Sequence, residues 1–324
     1  MKKFGVHSVV CLFAIVICVA CSKDAAEGSG PGGLYPLGLK GTIYYKWASE
    51  GILKISLPDG TGGSFIQDDS KLNNVDISRD GKWKLTVVNA SRIYHDDVRF
   101  TISDINDGSV VEEFIYNSPD GNVYCEGYLS PDNNFILVTA NSWKDGITVL
   151  KRNGEFVARM ADINGERIDI KGSVLWLPDN HLLMTHENYI IRVAPPYTSG
   201  SLVKEMDYQD WGNLGVNQAG TQLAMRIGNH VHTMNVDGTN LKQVTTSNFN
   251  ESVPVFSPDG KYLLVGSDYR QTGPFGYVWD LKIIPNDGEQ YNVDPIEPNS
   301  SGVIPVIWKG KEKIELAGGQ VIWR

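Results

Sequence analysis

Beyond the leader, few residues of this chain have the type and spacing that catalysis needs. His95, His181, His186, His230 and His232 are the imidazoles of the body. Zinc sites need three or four converging ligands, and two of them usually lie close together on one element. Only His230 and His232 are close; being two apart, they share one side of a strand. A site of His95, His186 and His230 would have to gather three distant segments, and scattered polar histidines are the plainer reading. The carboxylate pairs Asp96 with Asp97 and Asp207 with Asp210 are ordinary loop features, and without a measured separation they do not indicate glycoside hydrolysis. There is no Gly-x-Ser-x-Gly elbow, cysteine pair or phosphate-cradling loop. No catalytic residue, metal or cofactor is therefore assigned.

Recognition chemistry is better represented. Four clusters interleave aromatics with charge: Tyr94, His95 and Asp96; Trp143, Lys144 and Asp145; Tyr208, Asp210 and Trp211; Tyr269, Arg270 and Phe275. Aromatic faces beside carboxylate acceptors suit a sugar ring or a hot spot on a protein partner. These twelve residues are the candidate ligand-binding set, and Trp211 has the alternative role of packing between structural units.

The elements that would position them are visible as a repeat. "FSPDGKYLLVGSD" (256–268) places a Pro-Asp-Gly turn between two β-prone runs, and the pattern recurs. Its copies are "DISRDGKWKLTVV", "YLSPDNNFILVTA", "LWLPDNHLLMTH", "GVNQAGTQLAMR" and a degenerate "VIWKGKEKIELA". Their spacing of about 46 residues is that of one four-stranded propeller blade. Gly-containing turns at an offset, as in "VRFTISDINDGSVVEEF" and "VHTMNVDGTNLKQVT", supply a second hairpin per period.

The stretch from His230 to Asp268 closely resembles the repeat of TolB-like β-propellers, with weaker copies from about Gly41 to Lys309. The resemblance implies an all-β, six-bladed propeller of four-stranded antiparallel blades, with seven blades as the alternative. Inner strands are expected near Val75, Tyr124, Val174, Gly212, Val253 and Val303. The last blade would be completed by "GTIYYKW", "GILKISL" and "GSFIQ", while "KIELAGGQVIWR" could begin a seventh. The short Asp-Gly turns then occupy one face, and the long connections carrying the candidate clusters occupy the other, at the channel mouth. Fold alone does not assign function. Because TolB-like repeats also build oligogalacturonate lyases with channel histidines, the resemblance leaves an oligosaccharide-active enzyme as the alternative to a non-catalytic binding or interaction module.

The N-terminus reads as a targeting segment. "MKKFGVHSVVCLFAIVICVAC" has Lys2 and Lys3, then an apolar run too short to span a bilayer comfortably. Its end, "CVAC", resembles a lipobox, although Cys18 stands where leucine is usual. The resemblance implies a signal peptide over 1–20, lipidation of Cys21, a flexible tether over 21–38 and a propeller over 39–324. Ser22 after the cysteine resembles the outer-membrane sorting pattern of a cell-envelope lipoprotein, periplasmic or surface-facing, of the Bacteroidota type. The expected partners are thus the membrane, through the lipid on Cys21, and a protein or carbohydrate ligand at the mouth.

Three of the four cysteines fall in the leader, so Cys125 has no partner for an intrachain disulfide and the body must rest on its core. The chain carries a formal charge of -9. Without a Lys/Arg cluster, such a body makes a poor nucleic-acid binder.

Overall fold

The computed structural model describes residues 34–47, 50–91, 97–119, 124–140, 146–168, 172–273, 276–296 and 300–324. It is a six-bladed propeller, and each blade is a small antiparallel sheet. Among the described residues there is no helix of α type. The second blade shows the plan: Leu72–Ile77 lines the axis, followed outward by Trp83–Asn89, Asp97–Asp104 and Val110–Asn117. Inner strands Cys125–Leu129, Val174–Trp176, Trp211–Val216 and Ser252–Phe256 begin the third to sixth blades.

The turn after the inner strand explains why the repeat is legible. Gly81, Asn133, Asn180, Gly220 and Gly260 occupy the same turn position, with φ of 70°, 60°, 59°, 68° and 72°. Glycine and asparagine tolerate this left-handed region best. Each of these residues donates its amide to the carbonyl three residues earlier, as Gly260 does to Ser257 at 2.9 Å. Where asparagine replaces glycine it has a second use. Asn180 donates its side-chain amide to Asp132 at 2.6 Å, and Asn133 donates to Asp80 at 3.3 Å, so neighbouring blades are tied turn to turn.

The ring closes differently from the sequence expectation. The inner strand of the closing blade is Val321–Trp323, which pairs with Gly41–Trp47; Gly51–Leu57 and Thr61–Ile66 complete that blade. The segment near Val303 is instead outer structure of the sixth blade: Ile304–Pro305 and Leu316–Ala317 both pair with Tyr277–Pro285. The tail expected as a possible seventh blade thus supplies the missing inner strand. The reason is burial. Val321, Ile322 and Trp323 are all buried, whereas Ile304 and Pro305 are only half-buried.

The degenerate turn at Trp308 has become a staple between the sixth and first blades. Its indole lies so close to Gly62 that a Cβ there would meet the ring at 2.1 Å. Trp308 donates Nε1–H to the Tyr45 hydroxyl, and Lys309 donates its amide to Gly60. Tyr35 and Leu39 are fully buried in the same core, and the Tyr35 hydroxyl donates to the Ile307 carbonyl at 2.7 Å. Packing therefore reaches into the last residues of the segment expected as tether.

Candidate functional site

Strand order assigns the two faces. The Asp-Gly turns join inner to second strands, and third to outer strands, on one face; the longer connections join second to third strands, and blade to blade, on the other. Of the twelve candidate residues, Tyr94, His95, Asp96, Trp143, Lys144, Asp145 and Phe275 lie outside the described residues, as does Cys21. Tyr208, Asp210, Trp211, Tyr269 and Arg270 are described, and they fall on the long-connection side of the fourth to sixth blades.

Asp210 ends the connection into the fifth blade and is held by Arg226, which sits on the neighbouring strand Gln222–Ile227. The pair is bidentate, Nη1 to Oδ2 at 2.9 Å and Nη2 to Oδ1 at 2.6 Å, and Nη1 also donates to the Gly228 carbonyl. Hydrogen bonding to Arg226 lowers the Asp210 pKa and raises that of Arg226. Such planar fork-to-carboxylate pairing fixes both side chains at once. Tyr208 stands exposed beside this pair in sequence. Trp211 is half-buried against the core of the fourth and fifth blades.

Tyr269 and Arg270 lie on the extended strand Tyr262–Gln271, whose partner Tyr277–Pro285 rises with it. Tyr269 stacks on Tyr277 with ring centroids 5.2 Å apart and 2° between planes, and it also meets Trp279 at 5.4 Å. Tyr277 remains 45% exposed. Arg270 bridges Asp268 at 2.6 Å and Asp280 at 3.2 Å. Burial, then the neighbouring Tyr277, raises the Tyr269 pKa, and the positive charge of Arg226 opposes the rise.

The described histidines are engaged separately. His186 ends a strand of the fourth blade, is buried, and faces Glu166 at 3.4 Å. His230 begins a strand of the fifth blade and meets the fully buried Glu251 at 3.2 Å. His95 lies outside the described residues. Among the described residues, no group of three His, Cys, Asp or Glu could hold a metal ion.

Sequence reading overlooked the axis itself, where a cavity of about 640 Å3 lies between the inner strands. At the turn face Arg79 donates to the Gln218 carbonyl at 3.0 Å and the Trp176 carbonyl at 2.6 Å, while Gln218 donates back to the Arg79 carbonyl at 3.2 Å. These contacts cross the channel and floor it. A signal was available: Arg79 and Gln218 occupy the turn position held by Pro131, Pro178 and Pro258 in the other copies. Burial, then the nearby Arg324, lowers the Arg79 pKa to about 10. The wall of the third blade carries Tyr124, Glu126 and Tyr128. Burial and Glu126 push Tyr124 up to about 12. Thr139, Ala140 and Gly146 continue the cavity toward the long-connection face.

No protein-family model and no curated protein matches this chain. Solved structures share its fold. TolB from Acinetobacter baumannii aligns at a TM-score of 0.59 with 16% identity, covering 89% of this chain and 68% of that one. A TolB from Agrobacterium tumefaciens gives 0.55 and 13%, over 78% and 87% of the two chains. A chain of a nidogen/laminin complex gives 0.56 and 13%, over 87% and 98%. At these identities the likeness is one of fold, that of TolB-like β-propellers.

Proposed function

We propose that this chain is a cell-envelope lipoprotein, acylated on Cys21 and held at the outer membrane, whose TolB-like propeller serves as a non-catalytic ligand-binding or protein-interaction module. The observation that carries this reading is a cluster of stacked and exposed tyrosines with fixed charge pairs on one face. Stacked Tyr269 and Tyr277, exposed Tyr208 and the Asp210–Arg226 and Arg270–Asp268–Asp280 pairs share the long-connection side. Tight turns, with ion pairs such as Arg192–Asp179 and Lys151–Glu155, make up the other.

Aromatics held rigid by stacking, with charges fixed by pairing, offer contact area at little entropic cost on binding. The TolB-like fold is compatible with an interaction module, and the lipobox-like "CVAC" supports anchoring of the Bacteroidota lipoprotein type, periplasmic or surface-facing. The ligand is a protein or a carbohydrate engaged at the mouth. The test is affinity co-purification from cross-linked envelopes. Tyr277→Ala and Trp143→Ala should each reduce the retained partner about tenfold or more, the size of an aromatic hot spot, with unchanged thermal melting. Lys261→Ala on the turn face should not. Retention unaltered by both mouth substitutions would overturn the reading.

A further inference from the structure

The axial cavity is polarised along its length. At its floor, Arg324 donates Nε–H to the Ile77 carbonyl at 2.9 Å and Nη1–H to the Trp323 carbonyl at 3.1 Å. Its Nη2 stands 3.9 Å from Asp76 Oδ1, beyond hydrogen-bond distance. The other Asp76 oxygen is already taken by the Leu129 amide at 2.8 Å. Arg79 adds a second guanidinium to the same floor. Two guanidinium groups thus flank the single side-chain carboxylate of Asp76 at the floor, and a guanidinium is a ready partner for a carboxylate.

Glu126 has the opposite sign and a different depth. It lies three residues toward the mouth from Leu129 on the same inner strand, about 10 Å along the axis at strand rise. The Tyr128 hydroxyl donates to Glu126 Oε2 at 2.5 Å, which leaves the other carboxylate oxygen as an acceptor beside the cavity. Between the two ends the walls from the fifth and sixth blades are apolar, through Leu214, Val216, Val255 and Phe256. The volume lies within the roughly 300–1,000 Å3 of small-molecule sites.

We propose that the axial cavity binds a small elongated zwitterion, with its carboxylate on Arg324 above Arg79 and its ammonium at Glu126. A free ω-amino acid and a short unblocked peptide share this chemistry. The site goes beyond the mouth reading and is separable from it: Tyr277→Ala should leave this binding unchanged.

The experiment is calorimetric titration of the purified full chain, with tryptophan fluorescence as a second readout because Trp176 lines the cavity. The probes are 6-aminohexanoate, hexanoate, hexylamine and trialanine. Either 6-aminohexanoate or trialanine should bind at least tenfold tighter than both hexanoate and hexylamine, and whichever of the two is the tighter identifies the source. Arg324→Gln should remove the preference over hexylamine, Arg324→Lys should restore part of it, and Glu126→Gln should remove only the preference over hexanoate. Because the comparison among the four probes needs no variant, it decides the matter even if a substitution at Arg324 prevents folding. Equal binding of all four, or no binding of either zwitterion, would overturn the proposal.

Discussion

Two residues at different positions of the repeated turn serve different ends. Gly260 is in the turn because its φ of 72° excludes a comfortable side chain, and the space around it is otherwise open apart from the Asn217 amide. Gly260→Val should therefore destabilise the fold by roughly 1–3 kcal/mol through backbone strain rather than clash, as read by denaturant unfolding; an unchanged midpoint would contradict this. Arg79 replaces proline in its copy of the turn and spans the channel floor. Arg79→Met removes two hydrogen bonds to carbonyls and should cost roughly 2–4 kcal/mol, whereas Arg79→Pro should fit its own turn but lose the same bonds. Asp210 makes a pH prediction. Its folded pKa is depressed by Arg226, so the pair contributes stability above the ordinary carboxylate range, and that contribution is lost as pH falls through the depressed value. Carboxyl NMR should show Asp210 titrating below a free aspartate, and Arg226→Met should return it to normal. The turn residues were legible in the sequence because their backbone demand repeats. The partners of Asp210 and Arg270 were not, since Arg226 and Asp280 sit mid-strand in apolar runs whose neighbours only the fold brings to the mouth.

At the scale of elements, one strand decides whether the ring is closed. Trp323 is fully buried in the core shared by the sixth and first blades and donates Nε1–H to the Lys40 carbonyl at 2.9 Å. Trp323→Ala should destabilise the protein by about 3–5 kcal/mol, while Phe156→Ala, on an outer strand and 62% exposed, should stay within about 0.5 kcal/mol. Comparable losses from the two would contradict the assignment of inner and outer strands. Five inner strands were legible because each precedes a Pro-Asp-Gly-like turn. The sixth was not, since Val321–Trp323 leads into no such turn, while Trp308–Lys311 forms a real turn in the outer structure of the sixth blade. Periodicity located the repeat, but it could not distinguish a turn at the axis from one at the rim. Burial of "VIW" against the half-exposed "IP" is the physical difference.

At the scale of the whole molecule, the proposed lipid-tethered binding propeller would be held by its N-terminus and engage its partner at the mouth. Cys21→Ser should move the protein from the membrane to the soluble fraction on envelope fractionation, and a mutant that stays membrane-bound at wild-type levels would rule out lipidation as the anchor. The axis was the least legible part of the molecule, because its charges come from Asp76, Arg79, Glu126 and Arg324, far apart in the chain and individually unremarkable in sequence. The central claim, that recognition belongs to the long-connection face, is tested most directly by site-specific photo-crosslinking in intact envelopes. Photoreactive residues are placed at Tyr208 and Tyr277 on that face, and at Asn106 and Asp237 on the turn face. Discrete cross-linked species from Tyr208 and Tyr277 with none from Asn106 and Asp237 is the predicted result; cross-links of equal yield from both faces, or only from the turn face, would contradict it.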